Sequence, residues 1–96
     1  MKRNFNAYEN LAEKFKSIGH PVRVAILDLL CNCGAERLTV KSIYGKLNLS
    51  QSEVSRHLGI MRKNGVLMRM QESGFTFYCL CKHDSYVQCI RKCFIN

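Results

Sequence analysis

Acidic side chains are scarce in this chain: 7 Asp and Glu stand against 15 Lys and Arg in 96 residues, a formal net charge of +8. That imbalance disfavours a neutral partner and points to a polyanion, nucleic acid ahead of an anionic membrane surface. No apolar run approaches the roughly 20 residues a helix needs to cross a bilayer, so no membrane-spanning helix and no membrane partner are expected. The opening "MKRN" is basic, but "FNAYENLAEKF" after it is interrupted by polar residues and offers no cleavage site, so no secretory signal is expected either. A soluble cytoplasmic protein follows, and in a reducing compartment its six cysteines are not structural disulfides by default. Also missing are a C-x-x-C pair at a helix start, a Gly-rich phosphate loop, an H-E-x-x-H and any placeable Ser/His/Asp set, so the chain is not expected to be an enzyme. With no repeat, low-complexity segment or linker, residues 1–96 read as one small domain with a thin core. Such domains often gain apolar burial by pairing with a second copy, and a homodimer is expected.

What is present is helical periodicity. Tyr8, Leu11, Ala12, Phe15 and Ile18 recur at three- and four-residue spacing, predicting an amphipathic first helix over residues 6–18. The single proline, Pro21, follows "GH" and suits the first turn of a second helix, over about residues 21–31. Gly34 marks a turn, and "RLTV" reads as a short extended piece leading to Thr39 as the cap of a third helix. In that helix Val40, Ile43, Tyr44 and Leu47 share one face. Asn48 stands where a helix end tolerates a left-handed residue, and a turn of about four residues leads into the fourth helix. Ser50 heads that helix with Glu53 three positions on, a reciprocal capping box. Val54, His57, Leu58 and Met61 turn inward, and Asn64-Gly65 stops it. "VLMRMQ" and "FTFYCLC" around "ESG" predict a two-stranded hairpin. A final amphipathic helix from Asp84 carries Tyr86, Val87, Ile90 and Phe94. The fold class is mainly α with a small β-hairpin wing, in the order α-α-α-α-β-β-α.

The fourth helix, within "LSQSEVSRHLGIMRKNGVL", leaves Gln51, Ser52, Ser55, Arg56, Arg62 and Lys63 outside. Glutamine can pair with adenine in the major groove, arginine with guanine, and serine with bases or phosphates. The helix N-terminus at Ser50 favours a phosphate through its free N–H groups. A solvated face is the ordinary explanation for such residues. Here a helix, a tight turn, a second helix, a basic chain and a downstream hairpin occur in order, which is the winged helix-turn-helix arrangement, its second helix entering the groove.

Three phrases carry a resemblance: "FKSIGHPVRVAILDLL", "LTVKSIYGKLNLSQSEVSRHLGIMRKNGVL" and "TFYCL". They resemble the opening phrase, the helix-turn-helix and the wing end of the ArsR/SmtB family of winged-helix repressors, and the likeness runs from Tyr8 to Leu80. The resemblance implies a homodimer joined by its first and last helices, which binds a double-stranded operator in bacterial or archaeal DNA and releases it when an inducer binds. It places the operator contacts on Gln51, Ser52, Ser55 and Arg56, and makes His57 a packing position. Family members often carry several arginines around the wing tip, whereas this wing offers Arg69, with Glu72 and Phe75 nearby.

The cysteines lie outside the reading helix. Two metal sites implied by the resemblance are absent: the thiolate site, since the third helix has no Cys-x-Cys, and the paired-helix zinc site of Asp and His, since the last helix has Asp84 but no closing histidine pair. A further subgroup of relatives senses oxidants or reactive sulfur with one cysteine in the second helix and one in the last. Cys31 and Cys93 stand about a turn away from those positions, with Cys89 beside Cys93. Pairing of "RLTV" with the last wing strand would instead gather Cys31, Cys33, Cys81 and Cys89 as a thiolate site for a soft metal or arsenic. Inert packing is the third account, since cysteine buries readily. Arg91 and Lys92 would lower the thiol pKa at Cys89 and Cys93. No cofactor is required for the fold. The Met68, Arg69, Met70 alternation reads as strand surface rather than a copper box. A repressor without a sensor, or a thiol- or metal-handling protein, are the alternatives.

Overall fold

The computed structural model describes residues 4–32, 34 and 36–94. Helices α1 (Phe5–Ile18) and α2 (Pro21–Asn32) are followed by strand β1 (Leu38–Thr39), helices α3 (Val40–Leu47) and α4 (Gln51–Lys63), strands β2 (Leu67–Glu72) and β3 (Phe75–Leu80), and helix α5 (Ser85–Lys92). The expected order of elements is found, with β1 added to the wing as the third strand of an antiparallel sheet in the order β1-β3-β2.

Local chemistry fixes most of the boundaries. Thr39 Oγ1 accepts the Ser42 N–H at 3.1 Å and so caps α3. Asn48 takes φ 54°, ψ 46° at the end of α3, and the Leu49 N–H reaches back to the Tyr44 carbonyl at 3.1 Å. This is the left-handed helix stop that asparagine tolerates. Asn48, Leu49 and Ser50 alone join α3 to α4. Ser50 Oγ accepts the Glu53 N–H at 3.2 Å; among the described hydrogen bonds only this half of the capping box forms, without a return bond from Glu53. At the far end Gly65, at φ 75°, lets the Val66 N–H bond the Met61 carbonyl at 2.9 Å, which closes the last turn. The hairpin turns on Ser73 and Gly74, both at positive φ (52° and 82°). Two such residues in succession match the right-handed twist of the flanking strands.

The core is built by Ile26, Leu27 and Leu30 of α2, Ile43 of α3, Val54, Leu58 and Met61 of α4, Val66 and Leu67 at the start of the wing, Tyr78 and Leu80 of β3, and Val87 of α5. Full burial of each such side chain contributes about 1.5–3 kcal/mol. The apolar stripe of α1 lies mostly outside this core: Tyr8 and Phe15 are exposed and Leu11 is half-buried, while Ile18 packs against the core. One expectation, the reach of the last helix, needs correction. Helix α5 ends at Lys92, so Cys93 is its cap and Phe94 lies beyond it. Tyr86 faces outward with the Lys14 ammonium 5.6 Å above its ring. Asp84 caps α5, accepting the Tyr86 and Val87 N–H groups at 2.9 and 3.1 Å, and pairs with Lys14.

Candidate nucleic-acid interface

Helix α4 buries Val54, His57, Leu58 and Met61, and at about 100° per residue its other positions fall into two stripes, with Glu53 and Ile60 on the flank away from the wing. Ser52, Arg56 and Lys63 point directly away from the core and are exposed. Gln51, Ser55, Gly59 and Arg62 lie toward the wing. There they line a cleft of about 410 Å³ together with Lys41 of α3, Arg69 of β2, and Phe75 and Thr76 of β3. Ser50, spent on the cap, sits 3.4 Å from Ser52 through their hydroxyls.

The sequence missed Lys41 and Thr76. Lys41 reaches the cleft because β1 pairs with β3, Thr39 opposite Phe77, which swings the first turn of α3 toward the wing. That long-range register leaves no local signal. Arg69 was expected on the wing; it lines the cleft rather than the hairpin tip.

Charge is distributed to match. Among the described residues the ion pairs are Lys14–Asp84, Lys16–Glu13, Arg37–Glu72 and Lys82–Glu36. None of them uses Lys41, Arg56, Arg62, Lys63 or Arg69, and Glu53, in the first turn, is the one acidic residue on α4 itself. Glu72, near the wing tip, is neutralised by Arg37 at 2.6 Å. An anion approaching α4 therefore meets uncompensated positive charge.

His57 holds α4 on the rest of the molecule. It is 1% exposed, its Nδ1 accepts the Arg23 Nε–H at 3.0 Å, and its ring lies 4.4 Å from that of His20. Burial, then the charges of His20, Arg56 and Arg23, hold its pKa below the usual imidazole value, against an opposing pull from Glu53. Its buried Nε2 has no partner. The expectation that His57 packs rather than reads bases is met.

The thiols fall into separate places. Cys33 lies outside the described residues. Cys31 packs against the core and lines a pocket of about 270 Å³ with Glu36, Lys82 and Arg91. Beside it, the Asn32 side-chain amide donates to the Phe94 carbonyl at 3.0 Å, which ties the end of α2 to the segment that carries Cys93. Cys89 and Cys93 are exposed, the Cys93 Sγ 3.9 Å from the Cys89 carbonyl. Cys81 is half-buried; burial, then Cys79 and Asp84, push its thiol pKa up, against Lys14. Among the described residues no three His, Cys, Asp or Glu side chains come together as a metal cluster, so Cys31, Cys81 and Cys89 are not gathered into one site. Among the same residues, no helix is long and apolar enough to cross a membrane.

Comparison with known proteins agrees with this geometry. Residues 20–68 match the family model described as "Bacterial regulatory protein, arsR family". The chain is 38% identical over 71 residues to an uncharacterized HTH-type transcriptional regulator of Methanocaldococcus jannaschii, an alignment that covers 74% of this chain and 78% of that protein. Its fold is similar to that of the transcriptional repressor PagR of Bacillus anthracis, with a TM-score of 0.81, 32% identity, and 96% and 100% of the two chains covered. It also superposes on a homodimeric winged helix-turn-helix DNA-binding domain of Mycobacterium bovis, with a TM-score of 0.81, 18% identity, and 97% and 82% covered. A polar, cation-edged helix carried on this scaffold, and these likenesses over most of its length, have one meaning: the chain belongs to the ArsR family of DNA-binding transcriptional regulators.

Proposed function

We propose that the chain, a single winged helix-turn-helix domain, is a homodimeric repressor that reads its operator with α4 and is joined to its second copy through α1 and α5. The observation that carries the reading is the uncompensated outer face of α4, with Ser52, Arg56 and Lys63 outward and Gln51, Ser55 and Arg62 on the cleft beside Arg69. Gln51 and Arg56 supply the donors that recognise adenine and guanine edges, Ser52 and Ser55 adjust to bases or phosphates, and Lys63, Arg62 and Arg69 bind phosphate. Dimerisation is supported by α1, which exposes three large apolar side chains, Phe5 (72% exposed), Tyr8 and Phe15. Paired copies would set two α4 helices one turn of DNA apart. The test is binding to a duplex recovered by selection from a random-sequence pool. Gln51→Ala and Arg56→Ala each cost about 1–3 kcal/mol on the selected site. Variants that bind it like the parent protein, or a monomer by sedimentation, would overturn the assignment.

A second reading concerns release, and the Asn32–Phe94 bond supports it by joining the ends that carry Cys31 and Cys93. Oxidation of these two thiols to a disulfide, with two protons lost and two electrons passed to a peroxide or polysulfide, would change how α5 seats against α2. Operator binding then falls on oxidation and returns with dithiothreitol, and Cys31→Ser and Cys93→Ser each remove the response. If binding ignores oxidants, zinc, cadmium and arsenite alike, the protein is a repressor without a thiol sensor.

A further inference from the structure

The outer face of the wing sheet concentrates soft donors. Met68 is the direct cross-strand partner of Cys79, and Met70 follows two residues along β2. Strand side chains alternate, so all three project from the face opposite the buried Leu67, Tyr78 and Leu80. Directly opposed residues have Cβ atoms about 4.5–5.5 Å apart and diagonal ones about 7–8 Å, within reach of flexible thioethers. These three residues and His83 line one cavity of about 190 Å³. The charged groups at its rim are Glu36, Arg37 and Lys82, and each is already paired: Glu36 with Lys82 at 3.3 Å, within the rim itself, and Arg37 with Glu72, its guanidinium 4.0 Å from the Phe77 ring.

Two thioethers, one thiol and one imidazole form a soft donor set. Zinc, calcium and magnesium gain little from thioether sulfur, whereas copper(I) prefers it. We propose that Met68, Met70, Cys79 and His83 form a binding site for copper(I) on the outer face of the wing. Cys79 binds as thiolate, its proton passing to solvent, and the ion stays monovalent throughout. The site is separate from Cys31, Cys89 and Cys93 and does not depend on the reading of α4. Arg69 lies between the two methionines and points to the opposite face, into the cleft beside α4.

The experiment uses the full chain, reduced and anaerobic, labelled with ¹³C at its methionine methyls, with silver(I) as a diamagnetic stand-in for copper(I). One equivalent of silver(I) should move the Met68 and Met70 signals together and leave buried Met61 in place. Uptake that moves neither signal would overturn the site, as would zinc producing the same shifts. In competition with bicinchoninate, Met68→Leu/Met70→Leu should weaken copper(I) binding at least tenfold, and Cys89→Ser/Cys93→Ser should keep the Met68 and Met70 shifts. Parental copper(I) affinity in the methionine variant, or loss of the shifts in the cysteine variant, refutes the assignment. Both methionines lie at or near the surface, so the leucine variants keep the fold.

Discussion

Replacing Gly59 by alanine should move stability and DNA affinity in opposite directions. Gly59 sits inside α4 on the stripe that lines the cleft with Gln51, Ser55 and Arg62. A β-carbon built there meets nothing within 4 Å, so the added methyl is free of clash. Glycine in a helix interior is worse than alanine by about 0.8–1 kcal/mol. For a chain of this size about 1 kcal/mol raises Tm by about 4–8 °C. If α4 reads the duplex as proposed, the same methyl stands in its path, and displacing one phosphate or base contact costs about 1 kcal/mol, roughly fivefold in Kd. Thermal melts monitored by circular dichroism at one fixed protein concentration, since a dimer's Tm depends on it, read the first effect. Fluorescence anisotropy on the selected duplex at constant salt reads the second. A variant that melts higher and binds as tightly as the parent would show that DNA does not enter this cleft. One that melts lower would show that Gly59 serves a packing need absent from the structure.

Three further outcomes follow from other residues. Lys63→Ala should weaken binding equally on selected and random duplexes and lower the salt slope by about one; a loss confined to the selected duplex would make Lys63 a base reader. Because His57 is held below the ordinary imidazole value, unfolding takes up a proton. Its neutral form therefore contributes stability that is complete above about pH 6.5 and is lost as pH falls from there through the depressed folded value. Urea unfolding as a function of pH should show this loss in the parent and less of it in His57→Leu, and equal slopes would refute it. Asp84→Ala removes the cap of α5 at a cost of about 1 kcal/mol. The Lys14 ion pair holds the Asp84 carboxyl below its usual range, so this contribution persists above about pH 4 and is lost on further acidification. Denaturant midpoints at pH 7 and pH 3 test both statements.

Features set by a few neighbouring residues were legible in the sequence. Thr39, Asn48, Ser50 and Gly65 announce helix starts and stops because capping is local chemistry. The buried face of α4 was legible because its period matches the helix. The apolar stripe of α1 was legible as a pattern, but its destination was not: periodicity says that a face will be covered without saying by which chain. The cleft was half-legible. Gln51, Ser55, Arg62 and Arg69 carry the right chemistry, whereas Lys41 and Thr76 join them only through the pairing of β1 with β3. The Met68–Cys79 pairing depends likewise on a hairpin register that Ser73 and Gly74 set, and in the linear chain those residues look like ordinary strand surface.

Thr39 belongs to two elements at once, hydrogen-bonded into the sheet opposite Phe77 and capping α3 through its hydroxyl. Wing and helix-turn-helix consequently share a joint with no slack, and a tilt of one carries the other along. In a pair of such bodies the variable left to a regulator is the distance and angle between copies, and DNA with its fixed helical repeat would measure that distance as a ruler does.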